Sequence, residues 1–236
     1  GGPAVAGFLV EKEIKYLEEA LKTPKAPFVA VLGGAKVSDK IKLISKLLSK
    51  VDRILIGGAM AYTLLKAKGV QIGKSLLEAE QVEEMKKLLA EAGDKIMLPC
   101  DHVATDSFDA KAKMAGEPIA IADINIPENL LGMDIGQKTI KAFSDVVAAA
   151  KTIVWNGPMG VFELPAYAAG TKAIAAAVAK ATDGGGISVI GGGDSAAAVE
   201  EMGLENKMTH VSTGGGASLK YLEGNPMPPI EVLDEK

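Results

Sequence analysis

The stretch "PFVAVLGGAKVSDKI", residues 27–41, decides the fold that this sequence predicts. An unbroken apolar run from Phe28 to Leu32 leads directly into Gly33 and Gly34, and the residues after this turn have the composition of a helix. A short strand that is apolar at every position is typical of a parallel sheet buried on both faces. The same succession of strand, glycine turn and helix recurs along the chain, which indicates the α/β class.

The alternation of strands and helices extends over most of the sequence. Strands are predicted at "FVAVLGG", "RILIGG", "KIMLP", "TIVWNG", "ISVIGGG" and "MTHVST". Helices are predicted at "EKEIKYLEEALKT" and over residues 37–50, 59–68, 75–92, 137–150, 166–181, 195–202 and about 216–223. The segments "DHVATD" and "PIAIAD" predict a strand-rich excursion, and "PENLLGMDIG" predicts a loop. We therefore expect a single domain over residues 1–236, a doubly wound, Rossmann-like open parallel sheet with helices on both faces.

Composition limits the class of partner. The 236 residues include 26 Lys and Arg against 30 Asp and Glu, and the net charge of −4 gives no broad basic surface for a nucleic acid. No stretch approaches the roughly 18 apolar residues of a membrane span, and "GGPAVAGFL" lacks the basic leader of a secretory signal. The single cysteine, Cys100, excludes an internal disulfide and suits a reducing compartment. We expect a cytoplasmic protein that binds neither nucleic acid nor membrane.

Glycine follows five of the predicted strands. The turns are Gly33-Gly34, Gly57-Gly58, Gly157, Gly191 to Gly193, and Gly214 to Gly216. Because the carboxyl ends of parallel strands share one edge of the sheet, we expect all five turns at the edge where such folds bind ligands. Glycine lets the backbone approach a ligand closely, and the free N–H groups of the helix starts that follow favour negative charge. Together the turns favour a phosphorylated ligand.

Two lysines follow the first glycine turn. Lys36 and Lys40 are one helical turn apart at the start of the helix predicted over residues 37–50, so both ammonium groups can project toward the same edge. Cations at the amino end of a helix oppose its dipole unless an anion lies between them. A polyphosphate would be that anion.

Three polar residues near the turns each allow two interpretations. Asp194 follows three glycines and is either a helix cap or a ligand of Mg²⁺, a hard ion that takes protein and phosphate oxygens. Asn156 can donate to phosphate or close its own turn, and Glu163 is either a ribose acceptor or a surface acid. His102 and His210 stand far apart without Cys or acidic clusters, which argues against zinc.

Two nucleotide-binding fingerprints are incomplete. "GVQIGKS", residues 69–75, resembles a P-loop, but Lys68 stands where that motif requires its first glycine, so we expect a loop and a helix start. "GGGDSA", residues 191–196, fits the G-x-G-x-x-A dinucleotide pattern between a strand and a helix. No acidic residue follows it about twenty positions later to bind a ribose. A domain of an NAD-dependent oxidoreductase remains an alternative.

Four strings together resemble the nucleotide-binding lobe of the phosphoglycerate kinase family. They are "LGGAKVSDKI", "WNGPMGVFE", "IGGGDSAAAVE" and "HVSTGGGASL", in this order. The resemblance covers essentially the whole chain and implies half of a two-lobed enzyme that transfers a phosphoryl group between 1,3-bisphosphoglycerate and ADP in glycolysis. Residues 1–22 resemble the helix between the lobes, and residues 224–236 resemble the closing segment of the family.

The resemblance implies a role for individual residues. Lys36 would contact the transferring phosphoryl group, Lys40 the inner phosphates, and Asp194 the Mg²⁺ of MgADP or MgATP. The helix start that receives the moving phosphoryl group would be Gly214, Gly215 and Gly216. The remaining nucleotide contacts would be Asn156 on phosphate, Ser195 beside Asp194, Glu163 on the ribose, Val161, Gly34, Gly58, Gly132 and Met133 around adenine, and Pro158, Gly192 and Gly193 in the matching strings.

The resemblance also implies a missing partner. The family binds its acidic three-carbon substrate through basic residues of the amino-terminal lobe, whereas this chain has Arg53 as its single arginine. We therefore expect a chain that binds ADP or ATP with Mg²⁺, has negligible turnover alone, and requires the complementary lobe for transfer. A non-catalytic nucleotide-binding or interaction module is a further alternative.

Overall fold

The structure, a computed structural model, describes residues 23–212. The strands are β1 (Phe28–Leu32), β2 (Arg53–Ile56), β3 (Ile96–Met97), β4 (His102–Thr105), β5 (Phe108–Asp109), β6 (Met114–Ala115), β7 (Ile119–Ile121), β8 (Leu131–Ile135), β9 (Thr152–Asn156), β10 (Ile187–Gly191) and β11 (His210–Val211). The helices are α1 (Ile41–Leu48), α2 (Met60–Ala67), α3 (Val82–Ala92), α4 (Gln137–Ala149), α5 (Ala169–Asp183) and α6 (Gly193–Glu201). The predicted helices at the amino end and over 216–223, and the predicted tail over 224–236, lie outside the described residues.

A six-stranded parallel sheet forms the centre of the domain. Its strand order is β11-β10-β9-β1-β2-β3, and every neighbouring pair is parallel. Numbered along the chain within this sheet, the order from the other edge is 3-2-1-4-5-6, the order of the dinucleotide-binding fold. The direction of winding reverses between β1 and β9, and ligands of such sheets bind beyond the carboxyl ends of the strands at this reversal. The prediction of a doubly wound, Rossmann-like sheet is confirmed.

Helices cover both faces of the sheet, which explains why β1 is apolar at every position. Alternate residues of β1 point to opposite faces: Phe28, Ala30 and Leu32 belong to one buried cluster, and Val29 and Val31 belong to another. The first cluster includes side chains of α1, α2 and α3, and the second includes side chains of α4, α5 and α6. The protein therefore has three layers, with the sheet between two layers of helices.

The register of the central strands places four glycine turns at one level. Leu32 lies beside Ile56 on one neighbouring strand and beside Asn156 on the other, and Asn156 lies beside Gly191. Because β1, β2, β9 and β10 end in register, the turns that follow them start side by side. The shared edge predicted for the glycine turns is confirmed for these four strands, and the fifth turn, Gly214 to Gly216, lies outside the described residues.

A smaller antiparallel sheet stands beside the central one and corrects one prediction. Its strand order is β7-β4-β8, and β5 pairs with β6 in a separate hairpin. The segment "PENLLGMDIG" was expected to be a loop, but it contains β8, in which Ile135 pairs with His102 and Leu131 with Thr105. Glycine and aspartate are unfavourable in strands, so pairing with β4 rather than local preference makes this segment extended.

Two predicted helices begin later than expected. The helix predicted from residue 37 begins at Ile41, so Lys36 and Lys40 lie in the connection before it and not one turn apart on its surface. The helix predicted over 75–92 begins at Val82 after a 3₁₀ turn. Both stretches contact distant segments instead: the Val37 amide donates to the Glu78 carboxylate at 2.6 Å, and the Glu78 amide donates to the Thr63 hydroxyl at 3.2 Å. These tertiary contacts override local helix preference.

The described residues also include no candidate for a membrane span. Within residues 23–212, no helix combines the length and the apolar character needed to cross a bilayer.

Steric contact at the reversal point predicts a large cost for one methyl group. A Cβ atom added to Gly33 would overlap the carbonyl oxygen of Pro158 and lie 2.7 Å from its carbonyl carbon, and backbone atoms cannot move aside as a side chain can. We expect Gly33→Ala to lower the free energy of unfolding by about 1–3 kcal/mol, measured by urea denaturation. Gly193→Ala is the control, because Gly193 lies in α6 with no atom within 4 Å of the added Cβ. Equal stability of the two variants would contradict the close packing of these turns.

Candidate functional site

The glycine turns at the carboxyl edge hold one another through backbone contacts. The Gly33 amide donates to the Asn156 carbonyl at 3.0 Å, and the Gly58 amide donates to the Met159 carbonyl at 2.8 Å. Gly58 and Gly157 adopt positive φ angles of 67° and 99°, which glycine tolerates without strain. The turns after β1, β2 and β9 therefore form one continuous backbone surface at the point where the sheet reverses.

The turn after β10 joins this surface through two side chains. The fully buried Ser195 hydroxyl of α6 accepts a hydrogen bond from the Gly157 amide at 2.5 Å. The Asn156 side-chain amide lies next to Gly191 and Gly192, close enough that a Cβ atom at Gly192 would be 3.0 Å from Nδ2. Ser195 thus ties the start of α6 to the turn after β9, and its predicted contact with a nucleotide stays a prediction.

Lys40 and Asn156 bring the predicted phosphate site together. The Lys40 ammonium donates to Oδ1 of Asn156, two residues that are 116 positions apart in the sequence. The Lys40 side chain also passes near Gly34, where an added Cβ would lie 3.6 Å from the Lys40 Cε. A primary ammonium, an amide and bare glycine backbone therefore meet at the end of β1 and β9, a combination of donors that suits phosphate oxygens.

Lys36 lies in the exposed turn between Gly34 and α1, where an internal anion is already present. The Glu78 carboxylate accepts hydrogen bonds from the amides of Val37 at 2.6 Å and Ser38 at 3.1 Å, and from the Ser38 hydroxyl at 2.5 Å. Burial alone would raise the pKa of Glu78, but these hydrogen bonds and the charge of Lys36 outweigh it and lower the pKa. Glu78 therefore supplies part of the negative charge that the sequence predicts near the two lysines.

Asp194 lies in the first turn of α6 with its side chain exposed. A carboxylate at this position, beside the glycine turn after β10, fits Mg²⁺, which is held by one or two protein oxygens together with phosphate oxygens. Among residues 23–212, no group of three or more His, Cys, Asp or Glu side chains is arranged to hold a metal ion. A divalent ion bound through Asp194 would thus take further ligands from a nucleotide or from water.

Of the residues predicted around adenine, Gly132 and Met133 lie in β8 with Val161 next to them, whereas Gly34 and Gly58 lie in the glycine turns. The Gly132 amide donates to the Ser75 hydroxyl at 2.9 Å, and the Val161 amide donates to the Met133 carbonyl at 2.9 Å. The Pro158 carbonyl packs against Gly33 and Gly58, which links this region to the phosphate side. Val161 is half-buried and Glu163 is exposed two residues later.

Leu76 joins this region without having been predicted. It follows Ser75 directly, and 49% of its surface is exposed, a high value for a leucine next to backbone that packs so closely. No pattern in the sequence distinguishes Leu76 from a helical leucine, because the segment has the pattern of the helix predicted over residues 75–92. Leu76 thus follows the residue whose hydroxyl binds the Gly132 amide, and an exposed apolar side chain suits the face of a nucleobase.

Asp134 is a second residue that the sequence did not indicate. Its carboxylate is buried with only 2% of the residue exposed, and it accepts from the Gly170 amide at 2.7 Å and the Ile135 amide at 2.8 Å. Burial raises the pKa of Asp134 to about 7, although both hydrogen bonds favour the charged form. Gly160 and Gly170 each lie so close that a Cβ atom on either would overlap this carboxylate. Asp134 therefore fixes the start of α5 and the loop that carries Val161 to β8.

Comparisons with known proteins agree with this geometry. The family model for phosphoglycerate kinase matches residues 2–225. The phosphoglycerate kinases of Leuconostoc citreum and Lactobacillus gasseri are 53% and 54% identical over 231 and 236 residues, which cover 98% and 100% of this chain. The chain belongs to the phosphoglycerate kinase family. The match covers only 56% and 57% of those relatives, so the chain spans little more than half of their length.

Solved structures of phosphoglycerate kinases share the fold. The enzyme from Coxiella burnetii superposes with a TM-score of 0.89 at 42% identity, covering 96% of this chain and 57% of that one. The enzyme from Pyrococcus horikoshii gives 0.82 at 35% identity, covering 96% and 56%. Family membership favours the phosphotransferase interpretation over the dinucleotide one. In addition, "GGGDSA" follows β10, whereas the glycines of a dinucleotide-binding fold stand in its first strand-to-helix turn.

The raised pKa of Asp134 predicts how stability depends on pH. The native value of about 7 lies above the ordinary value of 3.8, so the native state keeps a proton that the unfolded chain has lost. The contribution of this group to stability is therefore greatest at low pH and declines as pH rises toward 7. Relative to Asp134→Asn, which cannot ionise, the wild type should lose up to about 1.4 kcal/mol of unfolding free energy per pH unit between pH 5 and 7.

Urea denaturation at several pH values measures this difference. The control is Asp123→Asn, because hydrogen bonds from the Asn125 amide and side chain lower the pKa of the exposed Asp123, so it titrates below this window. Its stability should run parallel to that of the wild type. A wild type and an Asp134→Asn variant with parallel profiles would show that Asp134 is ionised throughout.

Proposed function

We propose that the chain is the nucleotide-binding lobe of a phosphoglycerate kinase and that it binds MgADP and MgATP at the carboxyl edge of the central sheet. The whole enzyme would transfer a phosphoryl group between 1,3-bisphosphoglycerate and ADP. The observation that carries the proposal is the meeting of Lys40, Asn156 and the glycine turns at the reversal point of a sheet whose family is established. The turns bring glycine backbone to one place that polyphosphate can approach without side-chain obstruction, and the N–H groups at the start of α6 favour negative charge.

The site divides into a phosphate half and a base half. In the phosphate half, Lys40 and Asn156 would hold the inner phosphates, and Lys36 would neutralise the charge of the transferring phosphoryl group. In the base half, Gly132, Met133, Val161 and the exposed Leu76 would form the walls, and Glu163 would accept from the ribose. Asp194 would hold Mg²⁺, which supplies positive charge to the phosphate oxygens during transfer. The remaining proposed contacts are Gly34, Gly58, Pro158, Gly192, Gly193 and Ser195.

Phosphoryl transfer depends on alignment, which sets what this chain can do alone. The protein contributes by holding donor and acceptor in line and by neutralising charge in a cleft that excludes water. The single arginine, Arg53, stands at the start of β2, at the edge of the sheet opposite the glycine turns. The acidic acceptor therefore has no arginine on the proposed nucleotide side, and we propose that the complementary lobe supplies its binding site. A cytoplasmic location accords with a glycolytic role.

Isothermal titration calorimetry with MgADP tests the nucleotide site. Lys36→Ala and Lys40→Ala each remove a cation from the phosphate half, and we expect each to weaken binding about 10- to 100-fold, the range for a charge-assisted hydrogen bond. Lys46→Ala is the matched control, because Lys46 makes the same charge change in the last turn of α1. Equal losses in all three variants would reduce the effect to net charge, and stronger binding of NADH than of MgADP would overturn the proposal.

Turnover provides a separate test. With 1,3-bisphosphoglycerate and MgADP, the chain alone should form no ATP above the protein-free control, because half of the cleft cannot align the acceptor. Addition of the separately produced amino-terminal lobe of a relative should restore measurable transfer, and Lys40→Ala should abolish the restored activity. ATP formation by the chain alone at ordinary enzyme rates would contradict the requirement for a second lobe.

A further inference from the structure

Glu78 makes more contacts with the turn that carries the two lysines than any sequence pattern suggests. It lies 40 residues after Ser38, in the stretch between α2 and α3, and both of its carboxylate oxygens accept hydrogen bonds from that turn. Oε2 binds the amides of Val37 and Ser38, and Oε1 binds the Ser38 hydroxyl. These three contacts join two segments that share no sheet and no helix.

The carboxylate of Glu78 binds the turn that leads into α1. The N-cap residue of α1, Lys40, does not cap the helix through its side chain, and the first turn of α1 contains no acidic residue. The residues before it form a tight turn in which the Lys40 amide donates to the Val37 carbonyl at 2.8 Å. Glu78 accepts from the amides at the beginning of this same turn, so it fixes the backbone from which Lys36 and Lys40 extend.

Glu78 is itself anchored to the core. Its amide donates to the Thr63 hydroxyl at 3.2 Å, and Thr63 lies on α2 with only 1% of its surface exposed. Three residues earlier, the Ser75 hydroxyl accepts from the Gly132 amide in the base half of the site. The segment over residues 75–78 therefore connects α2 and the base half to the turn over residues 36–40, called here the lysine turn. The Glu78 carboxylate makes the contact with that turn.

We propose that Glu78 is a positioning residue of the nucleotide site, one that holds residues 36–40 in the conformation that presents Lys36 and Lys40 to the polyphosphate. This inference rests on the proposed function. Glu78 acts through the lysine turn and does not contact the nucleotide itself. Its negative charge is balanced by two backbone amides, by the Ser38 hydroxyl and by Lys36. The geometry of the acceptor oxygens, more than the charge, is therefore what the turn requires.

A comparison of alanine and glutamine at this position separates geometry from charge. Glu78→Ala removes all three contacts and should weaken binding of both MgADP and MgATP about 10-fold. Glu78→Gln removes the charge but keeps a carbonyl oxygen for the two amides and an N–H group for the Ser38 hydroxyl, so it should restore most of the affinity. Adenosine, which lacks phosphate, should bind all variants equally, because the base half does not use this turn.

Two further variants complete the series. Glu80→Ala is the matched control, because Glu80 makes the same charge change two residues away on an exposed surface, and its affinity should equal that of the wild type. Ser38→Ala deletes only the hydroxyl contact and should give a smaller loss than Glu78→Ala, which keeps the test usable if that variant folds poorly. Amide hydrogen exchange at Val37 and Ser38 measures their hydrogen bonds to residue 78 without any nucleotide. Exchange should be faster in Glu78→Ala than in the wild type and should stay slow in Glu78→Gln.

The outcomes distinguish this proposal from the proposed function. A wild type that binds neither MgADP nor adenosine overturns the proposed function, and the positioning role falls with it. If the wild type binds MgADP and the Glu78→Ala variant binds it with equal affinity, the positioning role alone is overturned. Tighter nucleotide binding by Glu78→Ala would also overturn it, since Glu78 would then compete with phosphate. An equal loss for adenosine and MgADP would show a general structural role.

Discussion

The structure depends on the close approach of two backbones where the sheet reverses direction. Beyond the ends of β1 and β9, Gly33 and Gly157 pack so tightly that a Cβ atom on either would overlap backbone atoms of the opposite turn. This contact requires glycine on both sides, and it leaves the edge without side chains at these two positions. The register of the neighbouring strands then brings the turns after β2 and β10 to the same level. One steric constraint therefore sets the shape of the edge.

Electrostatics at this edge follow from the same arrangement. Helix starts and bare amides create positive potential, and Lys40 adds an ammonium group that is held in place by Asn156. Without a nearby anion, the positive charges of Lys36 and Lys40 would repel each other and the helix starts, at a cost in electrostatic energy. Glu78 offsets part of this cost by accepting from the Val37 and Ser38 amides, while leaving the side of the turn near Gly34 to Lys40. The turn before α1 therefore contacts one internal carboxylate that balances part of its positive charge.

The sequence predicts the central sheet well because its signal is local. The apolar run of β1 and the glycines after it are enough to identify a buried parallel strand and its turn, and the order of such units predicts the doubly wound sheet. The start of α1, the path of residues 75–81 and strand β8 were predicted incorrectly, since each depends on a partner far away in the chain. Gly132 and Asp134 are poor strand residues, and only pairing with β4 makes them extended. The sequence did not indicate the roles of Glu78 and Asp134, because the role of a carboxylate depends on which amides it contacts in the folded chain.

The carboxylates of Asp134 and Glu78 each hold a different part of the candidate site in place. Asp134 holds the loop with Val161 by accepting from the Gly170 amide at the start of α5, and Glu78 holds the lysine turn by accepting from amides before α1. Asp134 lies in β8 and Glu78 lies in the connection between α2 and α3, so both stand outside the central sheet, and each accepts from amides of a distant segment. The burial of Asp134 carries a desolvation cost that the half-exposed Glu78 largely avoids. The loop with Val161 is therefore held by a buried and costly contact, while the turn with Lys36 and Lys40 is held by a more accessible one.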